Sequence, residues 1–457
     1  PQPPERLPRR ATFGAQLAPV PDSLRTALGL APGEGLQLLA VVPGTTAAAA
    51  ALRPGDVLVA VGDVPVTSPP AGIAALRAIP VGRRVAFTVV RRGASGSPER
   101  LTPTVAMQER PRERGAHFVT HYDEVAANGV RYRVMVTQPL RDGRPAPGRH
   151  PTLFLIGGIG AYTLDGPFAT ISYGDILQAV VERGWATVRV DKAGQGDSEG
   201  GPTVEADFDS ELAAYRATLA ALPRHPFVDT GRVFLFGHSM GGVFGPLLAA
   251  DTALARGDAP RLRGLAVYGT IAKPWMEYLV EAVRRQATLA GAPLATVDAM
   301  VRDQAALSHH LVIDGMHPEA LGRARPELAR ALAEHYPDGR TFSGLALPYW
   351  RQLARQRVAA AWAALDADVL AMHGASDFVG ARADPELIAA IVDQARPGRA
   401  TFALIPESDH TFHRYPTMQA SLQGSMQPPG GASSAPLNPA ARERLVAWLV
   451  ERAAAAR

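Results

Sequence analysis

The chain alternates short apolar runs with longer segments in which apolar residues recur at helical spacing. Four consecutive apolar residues, 233–236, predict a buried parallel strand, and the small, apolar stretch at 243–254 predicts the helix after it. The same succession extends over most of the chain after residue 150. Further strands are predicted at 152–156, 186–190, 265–268, 369–372 and 401–405, and further helices at 176–182, 204–221, 385–394 and 439–455. This order predicts an α/β fold with a mostly parallel sheet and helices on both faces.

Two segments depart from this alternation. Alternating residues near 117–124 and 131–138 predict an antiparallel strand pair that opens the sheet. Residues 271 to about 350 instead hold helical stretches, at 276–289 and 326–335, and they stand between two strands of the sheet. We therefore expect an inserted helical segment in the second half of the chain.

The first hundred residues form a unit of short strands and turns. Strands are predicted at 36–42, 57–61 and 84–92, with a helix at about 70–78. The charged run Glu109-Arg-Pro-Arg-Glu-Arg114 follows as a linker. The sequence thus predicts three parts, with limits at 11–108, 109–114 and 115–457.

Composition and charge narrow the classes of function. A hydrophobic content of 47% with 20% charged residues is typical of a globular protein with a large core. The net charge of +4 comes without a dense basic cluster, which leaves nucleic-acid binding unsupported, and no apolar run is long enough to cross a bilayer. Absence of cysteine excludes disulfides, thiolate catalysis and Cys-ligated metals.

No cofactor or metal is expected. His309-His310 with Asp314 suggests a metal site at first sight, but neighbouring histidines on a regular helix point to different sides. The chain begins at Pro1 rather than Met, in a polar, Pro-rich segment. A cleaved export signal is one explanation, and it would favour a periplasmic or secreted protein, while the compartment stays open.

The segment Gly237-His238-Ser239-Met240-Gly241 stands between the predicted strand and helix. A G-x-S-x-G motif in this context indicates a nucleophile elbow, a turn so sharp that the serine backbone is strained and the glycines must leave room for their neighbours. Ser239 would lie at a helix N-terminus, where the macrodipole favours developing negative charge. The alternative is an ordinary Gly-rich turn. We predict that Ser239 is a nucleophile.

Ligands of parallel sheets bind at the carboxyl ends of the strands, so the partners of Ser239 should follow strands. Asp377 follows the strand at 369–372 and is predicted to orient a histidine. His410 follows the last strand and is the predicted base, while His413 falls further into the loop. The order Ser, Asp, His along the chain is that of a catalytic triad on this type of sheet.

Acyl transfer also needs two N–H donors for its oxyanion. Met240, the residue after the nucleophile, supplies the first in our prediction. The loop Leu155-Ile-Gly-Gly-Ile-Gly160 follows an early strand, and we choose Ile159 as the second donor, with Gly158 as the competing choice. A glycine turn needed only for close packing is the alternative.

The segment Asp191-Lys-Ala-Gly-Gln-Gly-Asp-Ser-Glu-Gly200 resembles the D-x-R-G-x-G-x-S-x-G loop of α/β-hydrolases, with Ala193 where Arg is usual. Residues 115–457 as a whole look like this fold, near its serine aminopeptidase-like and dienelactone hydrolase-like branch. Gly157 stands where the family's HG motif has His. The resemblance implies a structural role for Asp191 and Ser198, and it implies that the insertion at 271–350 is a cap over the active site.

The first unit carries a second resemblance. Pro43-Gly-Thr-Thr-Ala47 and Ala51-Leu-Arg-Pro-Gly-Asp-Val-Leu-Val-Ala-Val-Gly-Asp-Val-Pro-Val66 resemble the signature of bacterial, protease-associated PDZ domains. The resemblance implies a loop that binds a peptide or protein C-terminus, and Phe13-Gly14-Ala15 is the candidate. Because Ala15 is small for this position, a PDZ domain that only packs on the enzyme is an equal alternative.

The sequence therefore predicts a cofactor-independent serine hydrolase that cleaves carboxylic esters, with Ser239, His410 and Asp377 as its triad. An aminopeptidase or amidase of the same fold is the first alternative, in which Glu277 and Glu281 would bind a substrate ammonium group. A non-catalytic interaction protein built on the PDZ domain is the second. Substrates would be small esters or short peptides. Four cap aromatics are expected either to line the pocket or to pack in the core, namely Trp275, Tyr278, Tyr349 and Trp350.

Overall fold

The computed structural model describes residues 7–93, 96–166, 171–252, 254, 257, 259–426 and 435–455. These residues form two compact units. One contains the described residues 8–113, and the other contains Leu7 and the described residues from 114 onwards. The predicted domain limits stay a prediction.

The N-terminal unit is mainly β-structure. Its strands are β1 Ala11–Thr12, β2 Ala15–Pro19, β3 Leu36–Val41, β4 Val57–Val61, β5 Val64–Pro65, β6 Arg84–Arg92, β7 Pro98–Leu101, β8 Thr104–Ala106 and β9 Gln108–Glu109, and its helices are α1 Asp22–Leu28, α2 Thr46–Ala49 and α3 Pro69–Arg77. Within the described residues, seven strands form an antiparallel sheet in the order β2-β3-β4-β6-β7, with β5 beside β4 and β8 beside β6. The predicted strands and helix of this unit are confirmed within two residues.

The second unit is built on a nine-stranded sheet, as counted over the described residues. The strands of this unit are β10 Phe118–Ala127, β11 Val130–Arg141, β12 Arg144–Pro145, β13 His150–Ile156, β14 Ala186–Val190, β15 Val228–His238, β16 Leu262–Tyr268, β17 Thr341–Phe342, β18 Leu345–Ala346, β19 Asp368–Gly374 and β20 Ala400–Ile405. The order of the sheet is β10-β11-β14-β13-β15-β16-β19-β20, with β12 beside β11. The pairs β14–β13, β13–β15, β15–β16, β16–β19 and β19–β20 are parallel. The pairs β10–β11, β11–β12 and β11–β14 are antiparallel.

Helices cover both faces of this sheet. The helices described in this unit, including those of the insertion, are α4 Ile171–Val181, α5 Phe208–Ala221, α6 Gly241–Ala249, α7 Trp275–Leu289, α8 Leu294–Ser308, α9 Pro318–Ala324, α10 Ala329–His335, α11 Leu347–Ala354, α12 Val358–Ala364, α13 Ala383–Ala395, α14 Met418–Ser425 and α15 Pro439–Ala454. In β15, Val233 and Leu235 pack into the core that contains α5 and α6, whereas Phe234 and Phe236 pack into the core that contains α4 and α15. A strand buried on both faces must be apolar throughout, which explains the continuous run in the sequence.

The insertion between β16 and β19 is helical, as predicted, and contains α7 to α12 and the β17–β18 hairpin. Between α8 and α9 the chain forms a π-helical turn at His309–Ile313. The predicted limit near residue 350 falls inside α11, and helical structure continues to Ala364. Over the described part of the chain, no helix is long and apolar enough to cross a membrane.

Candidate active site

The turn between β15 and α6 has the strain and the close approaches that the G-x-S-x-G motif predicts. Ser239 has a left-handed backbone with φ of 52°. A Cβ added at Gly237 would lie 2.5 Å from the Gly241 carbonyl oxygen, and one at Gly241 would lie 2.1 Å from that of Ile156. Met240 is the N-cap residue of α6, so its N–H belongs to the group that helix geometry leaves without an intrahelical acceptor. The turn therefore presents both a side-chain hydroxyl and a backbone donor.

His410 and Asp377 follow β20 and β19 and form a hydrogen-bonded pair. The Nδ1–H of His410 donates to Oδ2 of Asp377 over 2.8 Å. Oδ1 of Asp377 accepts the backbone N–H groups of Val379 and Gly380, each at 2.8 Å. This arrangement holds the carboxylate in one orientation and leaves Nε2 of His410 as the basic nitrogen. His410 and Ser239 line the same pocket.

Electrostatics favour the charged form of this pair. Burial lowers the pKa of His410, but the charge and hydrogen bond of Asp377 outweigh it, and the net pKa is raised above its ordinary value. Burial by itself would raise the pKa of Asp377. The opposite charge of His410 and its hydrogen bond dominate, so the pKa of Asp377 is lowered. The imidazole can therefore take a proton next to a carboxylate that stays ionised.

The loop after β13 contains the two candidate donors to the oxyanion, Gly158 and Ile159, which differ in their contacts. The Gly158 N–H donates to the phenol oxygen of Tyr173 at 2.9 Å and is thereby engaged. Ile159 lines the pocket together with Met240 and Ser239. This geometry favours Ile159 over Gly158, and the role of Ile159 stays a prediction.

A second hydrogen-bond chain, which the sequence did not reveal, reaches the backbone of His410. The Tyr173 hydroxyl donates to Nδ1 of His238 at 2.5 Å, and Nε2 of His238 donates to the backbone carbonyl of His410 at 2.8 Å. Burial lowers the pKa of His238 to about 3, so this histidine is neutral. The one signal in the sequence was the position of His238 inside the serine motif. At Gly157 an added Cβ would lie 2.4 Å from the Tyr162 hydroxyl and 3.2 Å from the Tyr173 side chain, so the histidine usual in the family would require these side chains to move.

A pocket of about 460 Å³ opens above Ser239. Trp275, Tyr278 and Trp350 line it, and the rings of Trp275 and Trp350 stack at a centroid distance of 4.8 Å. Tyr349 follows the other alternative and packs in the core, where its ring is buried and its hydroxyl lies 3.4 Å from a carboxylate oxygen of Glu211. Further lining residues are Ile159, Met240, Val243, Ile271, Leu279, Ala282, Val283, Gln286, Gln304, His335, Phe342, Ser343 and Val379.

The acidic residues considered for ammonium binding lie elsewhere. Glu281 accepts hydrogen bonds from Nζ of Lys273 with both carboxylate oxygens, each at 2.7 Å. Glu277 is exposed. Neither carboxylate is among the described residues that line the pocket.

The argument that His309 and His310 must point apart was wrong, because it assumed a regular α-helix. In the π-helical turn both rings approach Asp314, with Nδ1 of His310 at 2.9 Å and Nε2 of His309 at 3.6 Å from its carboxylate. The remaining ring nitrogen of His310 accepts a hydrogen bond from Arg325 at 3.1 Å. Both nitrogens of His310 therefore have partners within the protein.

In the N-terminal unit, Phe13-Gly14-Ala15 joins β1 to β2, an edge strand of its sheet. The Phe13 side chain is buried, and the centroid of its ring lies 5.1 Å from that of the Phe87 ring. The carbonyl groups of Phe13 and Gly14 accept N–H groups from Ala47 and Val42, each at 2.8 Å. Peptide binding at this loop stays a prediction, and β2 has an edge at which a strand could add.

Comparison with known families places these features in a class. Residues 170–417, more than half of the chain, match the family model described as "Serine aminopeptidase, S33". The chain belongs to this family of α/β-hydrolases and is a hydrolase. Residues 38–91 match the model of the PDZ domain. A search of curated proteins found no match.

Three solved structures are similar to this chain at low sequence identity. Est1E from Butyrivibrio proteoclasticus is 14% identical with a TM-score of 0.41, and the alignment covers 73% of this chain and 99% of that chain. A thermophilic esterase from Thermogutta terrifontis is 16% identical with a TM-score of 0.40, covering 73% and 99%. The hypothetical protein PA2218 from Pseudomonas aeruginosa is 13% identical with a TM-score of 0.44, covering 74% and 95%. At this level of similarity the substrate of this chain is not indicated.

Proposed function

We propose that this hydrolase cleaves carboxylic esters through an acyl-enzyme formed on Ser239. The observation that carries the proposal is the shared pocket, in which a strained serine and the histidine of a His410–Asp377 pair face the same apolar space. A left-handed backbone at a non-glycine residue is costly, and such residues cluster at functional sites.

The steps of the reaction follow from the hydrogen bond of His410 Nδ1 to Asp377, which leaves Nε2 as the base. Nε2 of His410 takes the proton of the Ser239 hydroxyl as its oxygen attacks the acyl carbon. The N–H groups of Met240 and Ile159 hold the oxyanion that forms. When the intermediate collapses, His410 returns the proton to the leaving alcohol, and water then releases the acid from Ser239 by the same two steps. Asp377 stabilises the imidazolium in both.

The lining of the pocket favours an ester over a peptide with a free N-terminus. An aminopeptidase needs an acidic group to bind the substrate ammonium, and no carboxylate is found among the described lining residues. Aromatic and aliphatic side chains instead suit a neutral acyl or alcohol group. The family's description supports peptide substrates, and amide cleavage by the same acyl-enzyme chemistry is therefore the second candidate.

A substrate comparison tests this choice. We expect a series of nitrophenyl esters to be turned over faster than aminoacyl anilides. Anilide turnover that exceeds ester turnover would reverse the order of the two candidates.

The nucleophile is tested with a fluorophosphonate probe. We expect the wild type to be labelled and Ser239→Ala to stay unlabelled, with kcat lowered about 10⁴-fold or more in Ser239→Ala and in His410→Ala while both stay folded. Ser376→Ala is the matched control and should keep its labelling, because Ser376 is buried next to Asp377 in the chain and donates to the Tyr415 carbonyl at 2.6 Å. Labelling that persists in Ser239→Ala would disprove the assignment, and a wild type without any labelling would revive the non-catalytic interpretation.

For the PDZ domain we propose binding of a free peptide C-terminus beside β2, with Phe13, Gly14 and Ala15 at the carboxylate. The support is the family match and the edge position of β2. Fluorescence polarisation of the full chain with peptides that end in a free carboxylate tests it. Equal binding of the same peptides with an amidated C-terminus would contradict a carboxylate-binding loop.

A further inference from the structure

The carbonyl oxygen of Gly158, in the oxyanion loop, has two donors that no sequence motif indicated. Nζ of Lys192 donates to it at 2.7 Å, and the Tyr162 hydroxyl donates to it at 2.7 Å. One of these donors is a cation. Two side chains thus hold one backbone carbonyl group in the loop that lies next to the proposed nucleophile.

Because the peptide bond is planar, these contacts of the Gly158 carbonyl also affect the N–H of Ile159. The Gly158 carbonyl and the Ile159 N–H belong to one peptide unit, and in a trans peptide they point in opposite directions. Holding the carbonyl therefore also sets the direction of the N–H. Ile159 lines the pocket beside Ser239, so the N–H that Lys192 and Tyr162 orient is the predicted second oxyanion donor.

The ammonium group is itself held from the other side. Nζ of Lys192 lies 3.1 Å from Oε1 of Glu211, and the Lys192 side chain is only 10% exposed. Tyr215 donates to the same carboxylate at 2.6 Å. Burial of a lysine is costly unless the charge is paired, and here the pairing leaves one N–H of the ammonium directed at Gly158. Lys192 is one of only two lysines in the chain.

We propose that Lys192 is a positioning residue for the oxyanion hole, acting through the Gly158–Ile159 peptide. It orients the Ile159 N–H, and its charge polarises the same amide so that the N–H becomes a stronger donor. The attraction between the N–H and the substrate oxygen increases as negative charge develops on that oxygen, so an oriented and polarised N–H stabilises the transition state more than the bound ester. The inference rests on the proposed ester hydrolysis by Ser239.

Lys192→Met tests the inference in the full-length protein, because Met keeps the length of the side chain and removes the charge. Removal of an oxyanion donor costs about 10²–10³-fold in kcat, and a donor that is misdirected but present should cost about 10- to 100-fold. We expect KM for a nitrophenyl ester to change by less than about threefold, since ground-state binding does not use this N–H. Tyr162→Phe removes the neutral donor alone and should lower kcat less than Lys192→Met.

A boronic acid inhibitor separates positioning from a purely structural role. It forms a tetrahedral, negatively charged adduct on the nucleophilic serine and so needs the oxyanion donors. Its inhibition constant should rise in Lys192→Met by the same factor by which kcat/KM falls, while the melting temperature shows whether the fold is kept. Lys273→Met is the matched control, because Lys273 also loses a partly buried ion pair, with Glu281 at 2.7 Å, and we expect its kcat to be retained.

Unchanged kcat and boronic acid affinity in a folded Lys192→Met would overturn the inference, as would an equal loss in Lys273→Met. If Lys192→Met does not fold, Lys192→Gln decides, because Gln also removes the charge, and unchanged kcat and boronic acid affinity in that variant overturn the inference. Failure of the underlying proposal looks different, because a wild type that fluorophosphonate does not label at Ser239 would refute the nucleophile itself.

Discussion

Replacement of Asp377 by Asn probes the part of the site for which the structure makes the sharpest prediction. Oδ1 of Asp377 accepts two backbone N–H groups, so an Asn at this position is expected to keep its oxygen there and turn its NH₂ group towards His410. Nδ1 of His410 would then have to accept a hydrogen bond instead of donating one. The proton of the neutral ring would move to Nε2, where the base must be free.

The loss of charge can be given a magnitude. The His410–Asp377 contact is 2.8 Å between nitrogen and oxygen, and Asp377 is fully buried. Two unit charges centred about 4 Å apart interact by about 4 kcal/mol at an effective dielectric constant of about 20. Since about 1.4 kcal/mol corresponds to a factor of ten in rate, kcat should fall about 10³-fold from the charge alone, and further from the inverted tautomer.

The assay is steady-state ester hydrolysis over a range of pH. Activity needs neutral His410, so loss of the Asp377 charge should move the acid limb of kcat/KM to lower pH while the plateau falls. Asp384→Asn is the matched control, because Asp384 is equally buried and its Oδ1 accepts the N–H groups of Ala272 and Lys273 at 2.9 and 3.2 Å. Wild-type kcat in Asp377→Asn, or an equal loss in Asp384→Asn, would refute the reasoning.

Three other measurements test the pKa of His410, the close packing at Gly241 and the lining of the pocket, in that order. In the wild type, kcat/KM should rise with pH through a pKa above the ordinary histidine value of about 6.5, because the pKa of His410 is raised; an acid limb centred below that value would contradict this. Gly241→Ala should lower the free energy of unfolding by about 1–3 kcal/mol in urea denaturation, because its Cβ would lie 2.1 Å from the Ile156 carbonyl, whereas Gly174→Ala, with open space at that position, should not destabilise. Val283→Phe should reduce kcat/KM for long-chain esters more than for acetate, because Val283 lines the pocket, and an equal reduction for both would argue against an acyl or alcohol site there.

Most strands and helices, and the order of the candidate site residues along the chain, could be predicted from the sequence. Strand and helix periods are local, so the apolar run at 233–236 together with Gly237 and Gly241 predicted a sharp turn at Ser239. Ser239 has the left-handed φ that this motif requires. Asp377 and His410 could be chosen because each follows a strand of a parallel sheet, whose carboxyl ends lie along one edge. For such residues the position in the chain already decides the position in space.

The pairing of polar atoms and the directions of side chains could not be predicted in this way. Tyr349 and Trp350 are neighbours on α11, yet one reaches Glu211 and the other lines the pocket. The contacts of Gly158 with Tyr173 and Lys192 join residues 15 and 34 positions apart. Hydrophobic periodicity carries no information on such contacts, because they depend on side-chain direction and on partners that are brought together only when the sheet and its helices have packed.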